Sequence, residues 1–290
     1  MALNRQTFKT RTLTSIVFVI IMLCGLLINY WSFLLLFCII HFGCWLEYKK
    51  LAGKIKPAYK NASSIHIMCA MLAGFGFLLW MTNNVYSVGQ TEISAIGFYI
   101  MIIGLIALPI TQIISQKKFN LKILFISIAG LLYISFSCGC MIQLRSNGML
   151  FGNIFGIDLG LVLPLFIIVT IWINDTMAYI VGSLIGKTQL SSISPKKTWE
   201  GTIGGALLAV ITVTICGYLL FKADISQLVI ISIITCIAGV IGDLFESKLK
   251  RLANVKDSGN IMPGHGGFLD RFDSLLFAVI FVWIYVKLFL

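Results

Sequence analysis

The sequence predicts an all-α fold, a polytopic integral membrane protein with about nine transmembrane helices and its N-terminus in the cytoplasm. Three observations predict it. Of the 290 residues, 59% are hydrophobic and 11% charged, a balance that cannot dress a water-soluble surface. Apolar runs of roughly 17 to 25 residues, the length that crosses a bilayer as a helix, follow one another along the chain. The basic residues, finally, gather on one side of the membrane once those runs are threaded through it.

The first run, 13–28, follows Arg5, Lys9 and Arg11 in the manner of a secretory signal peptide. It continues through Asn29, Tyr30 and Trp31 without a small-residue cleavage site, so an uncleaved span is expected. Further spans are expected at 30–46, 65–81, 93–115, 121–143, 159–181, 202–221, 226–244 and 272–290. No Pro/Ser-rich linker separates them, and the whole is read as one membrane domain. Within it, 1–150 supplies the first five spans, of unassigned role, and 151–290 forms a catalytic region of spans six to nine with their cytoplasmic loops.

With nine spans and a cytoplasmic N-terminus, nineteen of the 22 basic residues lie inside. Only Arg145, Lys222 and Lys287 fall outside, whereas an even span count would scramble this pattern. The net charge of +11 is therefore a membrane-topology signal, and nucleic acid is not an expected partner. A basic face also attracts anionic headgroups. The eight cysteines lie in apolar stretches without a CxxC pair, which speaks against a disulfide framework or a zinc site. No inverted repeat of the transporter kind is visible.

The acidic residues point to chemistry. Seven of eleven, Asp175, Glu200, Asp243, Glu246, Asp257, Asp270 and Asp273, lie in the last 120 residues on the expected cytoplasmic side. A carboxylate in a span costs roughly 2.5 to 3.5 kcal/mol on insertion scales and calls for a paired cation or a bound metal. If the eighth helix continues beyond the membrane, Asp243, Glu246, Ser247, Lys250 and Arg251 share one face; a solvated helix end laced with ion pairs is the plainer reading of that segment. Lys256-Asp257-Ser258-Gly259 and Pro263-Gly264-His265-Gly266-Gly267 form a glycine-rich loop through which backbone can approach a ligand. Asp270 and Asp273 then open the last span, where the helix dipole alone also favours acids. Carboxylates from two helices with Lys and Arg nearby suit a magnesium-bound triphosphate.

Between spans six and seven, Ser194-Pro195-Lys196-Lys197-Thr198-Trp199-Glu200-Gly201 reads as a helix start, with Ser194 as N-cap, Pro195 at the first helical position, and amides and lysines aimed at an anion. Asn174, Asp175 and Thr176 lie near the cytoplasmic end of span six, as ligand contacts or helix-packing groups. Gly201, Gly204 and Gly205 are expected to let helices pack closely. His265 is open to two readings, a general acid/base or a phosphate-contacting loop residue.

Ser247-Lys248-Leu249-Lys250-Arg251, then Lys256-Asp257, then Pro263-Gly264-His265-Gly266-Gly267-Phe268-Leu269-Asp270-Arg271-Phe272-Asp273 closely resembles the signature of the phosphatidate cytidylyltransferases. The resemblance extends to Asn174-Asp175-Thr176, Gly186-Lys187 and the 194–201 segment, and the compact layout is similar to the bacterial members. The first 150 residues match only as a series of spans. Met262 stands where Leu, Ile or Phe is usual, and Ser183 where members often carry Arg.

The resemblance implies transfer of CMP from CTP to phosphatidic acid, giving CDP-diacylglycerol and pyrophosphate, at the cytoplasmic face of the inner (plasma) membrane. It also implies dependence on Mg2+, room for a second cation such as K+, and a homodimer. Carried over by motif, Asp243 and Asp270 are metal ligands, joined by Asp273 and Glu246. Lys250, Arg251, Lys256, Asp257, His265 and Arg271 belong with Asp243 and Asp270 to the catalytic set. Ser194, Lys196, Lys197, Thr198, Glu200, Ser247, Asn174 and Asp175 face the substrates. Two competing readings remain, a transferase acting on another lipid acceptor such as a polyprenol or ether lipid, and a transporter whose acids line an ion path.

Overall fold

Apolar side chains repeated without interruption leave backbone amides and carbonyls no partner in lipid except one another, so helices result. In the computed structural model, which describes residues 5–116, 119–150, 159–261 and 266–290, they appear in chain order as α1 (Arg5–Leu27), α2 (Tyr30–Ile55), α3 (Pro57–Lys60), α4 (Ser64–Trp80), α5 (Ile93–Gln116), α6 (Leu121–Gly130), α7 (Ser137–Leu150), α8 (Leu159–Ile185), α9 (Trp199–Phe221), α10 (Ile225–Leu252) and α11 (Leu269–Phe289). Each expected span falls on a helix. Among the described residues, seven helices are long and apolar enough to cross a membrane, α6 and α7 counting as one through Leu121–Ser146. Thr12–Leu27 and Ser64–Trp80 are apolar but shorter. The chain is thus a multi-pass membrane protein. A two-stranded hairpin, Ser87–Val88 with Thr91–Glu92, precedes α5, its turn using Gly89 at φ +62°.

Local chemistry sets the boundaries. Asn29 ends α1 and opens α2 with a reciprocal capping box: its Oδ1 accepts from the Ser32 amide at 2.8 Å, while its own amide donates to Ser32 Oγ at 3.1 Å. Ser63 caps α4 through the His66 amide, and Asn120 caps α6 through the Lys122 amide.

The chain packs as two compact units, one made of Met1–Ser146 with Leu252–Phe272, the other of Asn147–Arg251 with Asp273–Leu290. In the first unit α4 and α5 lie backbone to backbone. A Cβ on Gly97 would meet the Trp80 amide nitrogen at 2.4 Å, and one on Gly104 the Ala73 Cα at 2.8 Å. Small residues at such crossings are how helices associate when lipid is as apolar as the side chains. Polar side chains lock the remaining contacts. His66 Nδ1 faces the Leu108 carbonyl at 3.1 Å, so that nitrogen carries the proton, and Nε2 accepts from Ser127 Oγ at 3.0 Å.

Between α6 and α7 the helix loosens into a π turn, Leu131–Phe136. This extra residue in the winding turns Ser135 inward, where its Oγ accepts from Trp45 Nε1 at 2.9 Å and lies 3.0 Å from His41 Nε2. Gly74 makes room for it, since a Cβ there would lie 2.0 Å from Ser135 Oγ. Gly74→Ala should therefore overpack this buried knot and destabilise the protein by about 1–3 kcal/mol. Thermal unfolding of the detergent-solubilised variant measures this; an unchanged midpoint would mean that the crossing is not tight.

Candidate active site

The loop between α8 and α9 is a small clasp. The Leu190 amide donates to the Lys197 carbonyl at 2.8 Å and the Trp199 amide to the Thr188 carbonyl at 2.9 Å, pairing its two arms. At its tip the Lys197 amide donates to the Ser194 carbonyl at 3.1 Å, with Pro195 second in the turn, a position its fixed φ favours. The expectation that Ser194 is a helix N-cap with Pro195 at the first helical position is therefore corrected. Pro195 starts a turn instead, and α9 begins at Trp199 with Thr198 as N-cap, its hydroxyl accepting from the Gly201 amide at 3.2 Å. Glu200 closes the clasp from the other side, accepting from the Lys187 and Thr188 amides at 3.1 Å. Its carboxylate is engaged with the loop backbone.

Beneath the clasp the second unit encloses a cavity of about 540 Å3. Asn174, Asp175 and Ser183 reach it from α8, Ser194, Lys196, Lys197 and Thr198 from the clasp, and Asp243 from α10. The α8/α9 crossing that shapes it uses the expected glycines: a Cβ on Gly205 would lie 2.6 Å from the Ala178 amide nitrogen, and one on Gly201 2.8 Å from Gly182 Cα. Lys197 Nζ donates to Asp243 Oδ2 in an ion pair, and Ser247 Oγ donates to Asp243 Oδ1 at 3.2 Å. Helix α10 does run on past the apolar stretch, to Leu252. Its Glu246 is buried rather than solvated and pairs with Lys250 one turn on. Asp273, at the start of α11, lies within electrostatic reach of Asp243, Glu246 and Asp175. The second unit therefore concentrates four carboxylates, with lysines against two of them, and Ser194, Lys196 and Thr198 line the same cavity as Asp175 and Asp243.

Among the described residues no three His, Cys, Asp or Glu side chains converge closely enough to cage a metal ion by themselves. Magnesium on a nucleotide does not need such a cage. It takes one or two carboxylates and completes its shell with phosphate oxygens and water. The donors present are hard oxygens in excess of the nearby lysines, so this residue set fits magnesium.

Asp270 belongs to the first unit, in a different setting. Its Oδ2 accepts from the Ser258 and Gly267 amides, each at 2.8 Å, and lies 2.8 Å from Ser258 Oγ. The residue that organises this loop was not singled out from the sequence: Glu47, near the C-terminal end of α2 and 1% exposed. Its Oε1 accepts from the Phe268 amide at 2.9 Å, and its Oε2 from the Leu269 amide at 2.9 Å and Ser258 Oγ at 2.7 Å. The signal was an acid closing an apolar run, but Lys49 and Lys50 beside it read as an ordinary interfacial end. Arg251, Lys256, Asp257 and Arg271 are exposed; His265 lies outside the described residues. The same loop and the start of α11 wall an apolar cavity of about 440 Å3, with Phe268 and Phe272 against Val17, Phe18, Leu36 and Ile40.

These features define a class of membrane-embedded helical protein with a cationic, carboxylate-bearing cavity suited to phosphate groups. Comparison with known proteins is more specific. The model of the cytidylyltransferase family matches residues 9–289, and the chain belongs to that family. It is 46% identical over 133 residues to the phosphatidate cytidylyltransferase of Bacillus subtilis, covering 45% of this chain and 49% of that protein. It is 36% identical over 169 residues to that of Staphylococcus saprophyticus, covering 58% and 60%. It is 43% identical over 129 residues to phosphatidate cytidylyltransferase 4, chloroplastic, of Arabidopsis thaliana, covering 44% and 33%. The matched stretch thus spans about half the length of the first of these relatives.

Because Thr198 both caps α9 and lines the cavity, Thr198→Ala should destabilise the protein by about 1 kcal/mol. A thermal midpoint in detergent equal to that of the unaltered protein would show that the cap is dispensable.

Proposed function

We propose that this protein is a magnesium-dependent nucleotidyltransferase that moves CMP from CTP to phosphatidic acid, forming CDP-diacylglycerol and pyrophosphate for phospholipid synthesis. The observation that carries the reading is the cavity of the second unit, where Lys196 and Lys197 stand with Asp175 and Asp243 in a chain of the cytidylyltransferase family. The relatives' shared name supplies the acceptor. The same reading takes all nine apolar helices as spans with the N-terminus in the cytoplasm, places the 151–290 region as catalytic with its loops on the cytoplasmic face of the inner membrane, and takes the working form as a homodimer.

In this chemistry a phosphatidate oxygen forms a bond to the α-phosphorus of CTP as the bond to the bridging oxygen of pyrophosphate breaks. Most of the catalysis is positioning and charge stabilisation. A phosphate monoester has a second pKa near 6, so the nucleophile is already largely dianionic at neutral pH and needs no strong protein base. Lys196 and Lys197, with the Ser194 and Thr198 hydroxyls, bind and orient phosphate oxygens. Lys250, Arg251, Lys256 and Arg271 add positive charge toward the pyrophosphate and the lipid phosphate. The carboxylates proposed to hold magnesium are Asp243, Asp270, Asp273 and Glu246. When bound, the ion would neutralise triphosphate charge and assist departure of pyrophosphate; a second cation such as K+ belongs to the same proposal.

Purified protein in detergent or liposomes should convert CTP and phosphatidic acid to CDP-diacylglycerol with magnesium, stop when the metal is chelated, and resume when it is restored. Asp243→Asn and Asp270→Asn should each lower kcat on the order of 10²-fold or more while the protein stays folded and membrane-bound. Near-normal turnover in either variant would remove that carboxylate from the machinery. Product from a polyprenol phosphate or ether lipid, but none from phosphatidate, would move the assignment to that acceptor.

A further inference from the structure

Glu47 is nearly 220 residues away in sequence from the loop it holds, and nothing in the reaction scheme uses it. In a membrane helix such a buried acid calls for a reason. Its setting supplies one. The Phe268 and Leu269 amides that it accepts from, both at 2.9 Å, lie at the start of α11 (Leu269–Phe289). Their N–H groups have no partner within the helix, and the positive end of the helix dipole lies there. Glu47 thus caps α11 from another helix.

The carboxylate also shapes the loop around it. A Cβ on Gly259 or Gly267 would lie 2.1 Å from Glu47 Oε1, so backbone alone fits against the acid at both positions. Ser258 then joins Glu47 to the functional carboxylate: its Oγ lies 2.7 Å from Glu47 Oε2 and 2.8 Å from Asp270 Oδ2. Asp270 follows Leu269 directly, and its Oδ2 is held by the Ser258 and Gly267 amides at 2.8 Å. Gly266, at φ +84°, completes the bend, and a Cβ there would come within 2.5 Å of Asp270 Oδ2. The two carboxylates therefore share one hydroxyl and clamp one loop between them.

We infer that Glu47 is a positioning residue of the active site, which, through Ser258 and the first amides of α11, orients Asp270 for the nucleotidyl transfer proposed above. It touches no reacting atom itself. Gln at this position keeps the length but turns one acceptor into an NH2 donor facing backbone or hydroxyl donors, so the loop must shift. A displacement of about 1 Å at a catalytic group can cost on the order of 10²-fold in rate. Ser258→Ala leaves Glu47 on the Phe268 and Leu269 amides and removes only the bridge to Asp270.

The test compares wild type, Glu47→Gln, Ser258→Ala and the double variant. It reads kcat per folded protein, KM for CTP and phosphatidate, and hydrogen exchange at the Gly267, Phe268 and Leu269 amides. Glu47→Gln should lower kcat about 10²-fold with both KM values within about threefold and faster exchange confined to those amides. Ser258→Ala should lower kcat by less, and the double variant should fall short of the product of the two singles because both act through Asp270. Unchanged kcat per folded protein in Glu47→Gln, or exchange accelerated across the whole first unit with activity lost only in step with folded protein, would overturn the inference. If Glu47→Gln does not fold, Ser258→Ala decides: a drop in kcat at constant KM supports the positioning chain, and wild-type kcat overturns it. A wild type that makes no CDP-diacylglycerol would count against the proposed reaction. Exchange confined to the three amides would then still support the clamp, and its absence would overturn it.

Discussion

A carboxylate that enters a helical membrane protein must find donors or bring a cation with it, and Glu47 finds its donors at the N-terminal end of another helix. The Phe268 and Leu269 amides and the Ser258 hydroxyl take up both of its oxygens. Much follows from that one arrangement. It accounts for the absence of side chains at residues 259 and 267, for the place where α11 can begin, and for the setting of Asp270 beside Ser258 and Gly267. Remove the acid, and the Phe268 and Leu269 amides at the start of a helix lose their partner together, a penalty that rises with burial.

The second unit solves a related problem by other means. Its acids, Asp175, Asp243, Glu246 and Asp273, lie within one neighbourhood, and lysines meet Asp243 and Glu246 directly. The α8/α9 crossing is close only because glycine and alanine meet there, and that closeness brings the 188–199 clasp over the cavity. Packing by small residues and placement of charge are one design here. The Gly201 and Gly205 positions that look like generic helix contacts set how far Lys196 and Thr198 stand from Asp175.

Much of the fold was legible because a membrane helix needs little beyond an uninterrupted apolar run, and every expected run coincides with a helix. The span count was less so: Ser64–Trp80 is apolar but only 17 residues long, and hydropathy alone does not settle what so short a helix does. The π turn at Leu131–Phe136 was invisible, since it arises from Ser135 meeting Trp45 and His41 rather than from local preference. At the site, Asn174, Asp175, Ser194, Lys196, Lys197, Thr198 and Asp243 do share a cavity, as motif chemistry suggested. Pro195 misled, because a proline serves the second position of a turn as well as the first position of a helix. Glu47 escaped notice for a different reason. A tertiary hydrogen bond across more than 200 residues leaves no period or spacing in the chain, and a lone acid beside lysines has a commonplace explanation.

The distance between Glu47 and its donors also has a meaning in time. Ser258 follows Glu47 by 211 residues, and at roughly 5–20 residues per second a ribosome needs about 10–40 s to reach it. Through that interval α2 is complete while the donors that will bury its acid do not yet exist. The nascent first unit must therefore keep the end of α2 at the wet surface, or with a temporary companion, until the last helix arrives to finish it. The first unit, although begun at the N-terminus, is among the last parts of this protein to be completed.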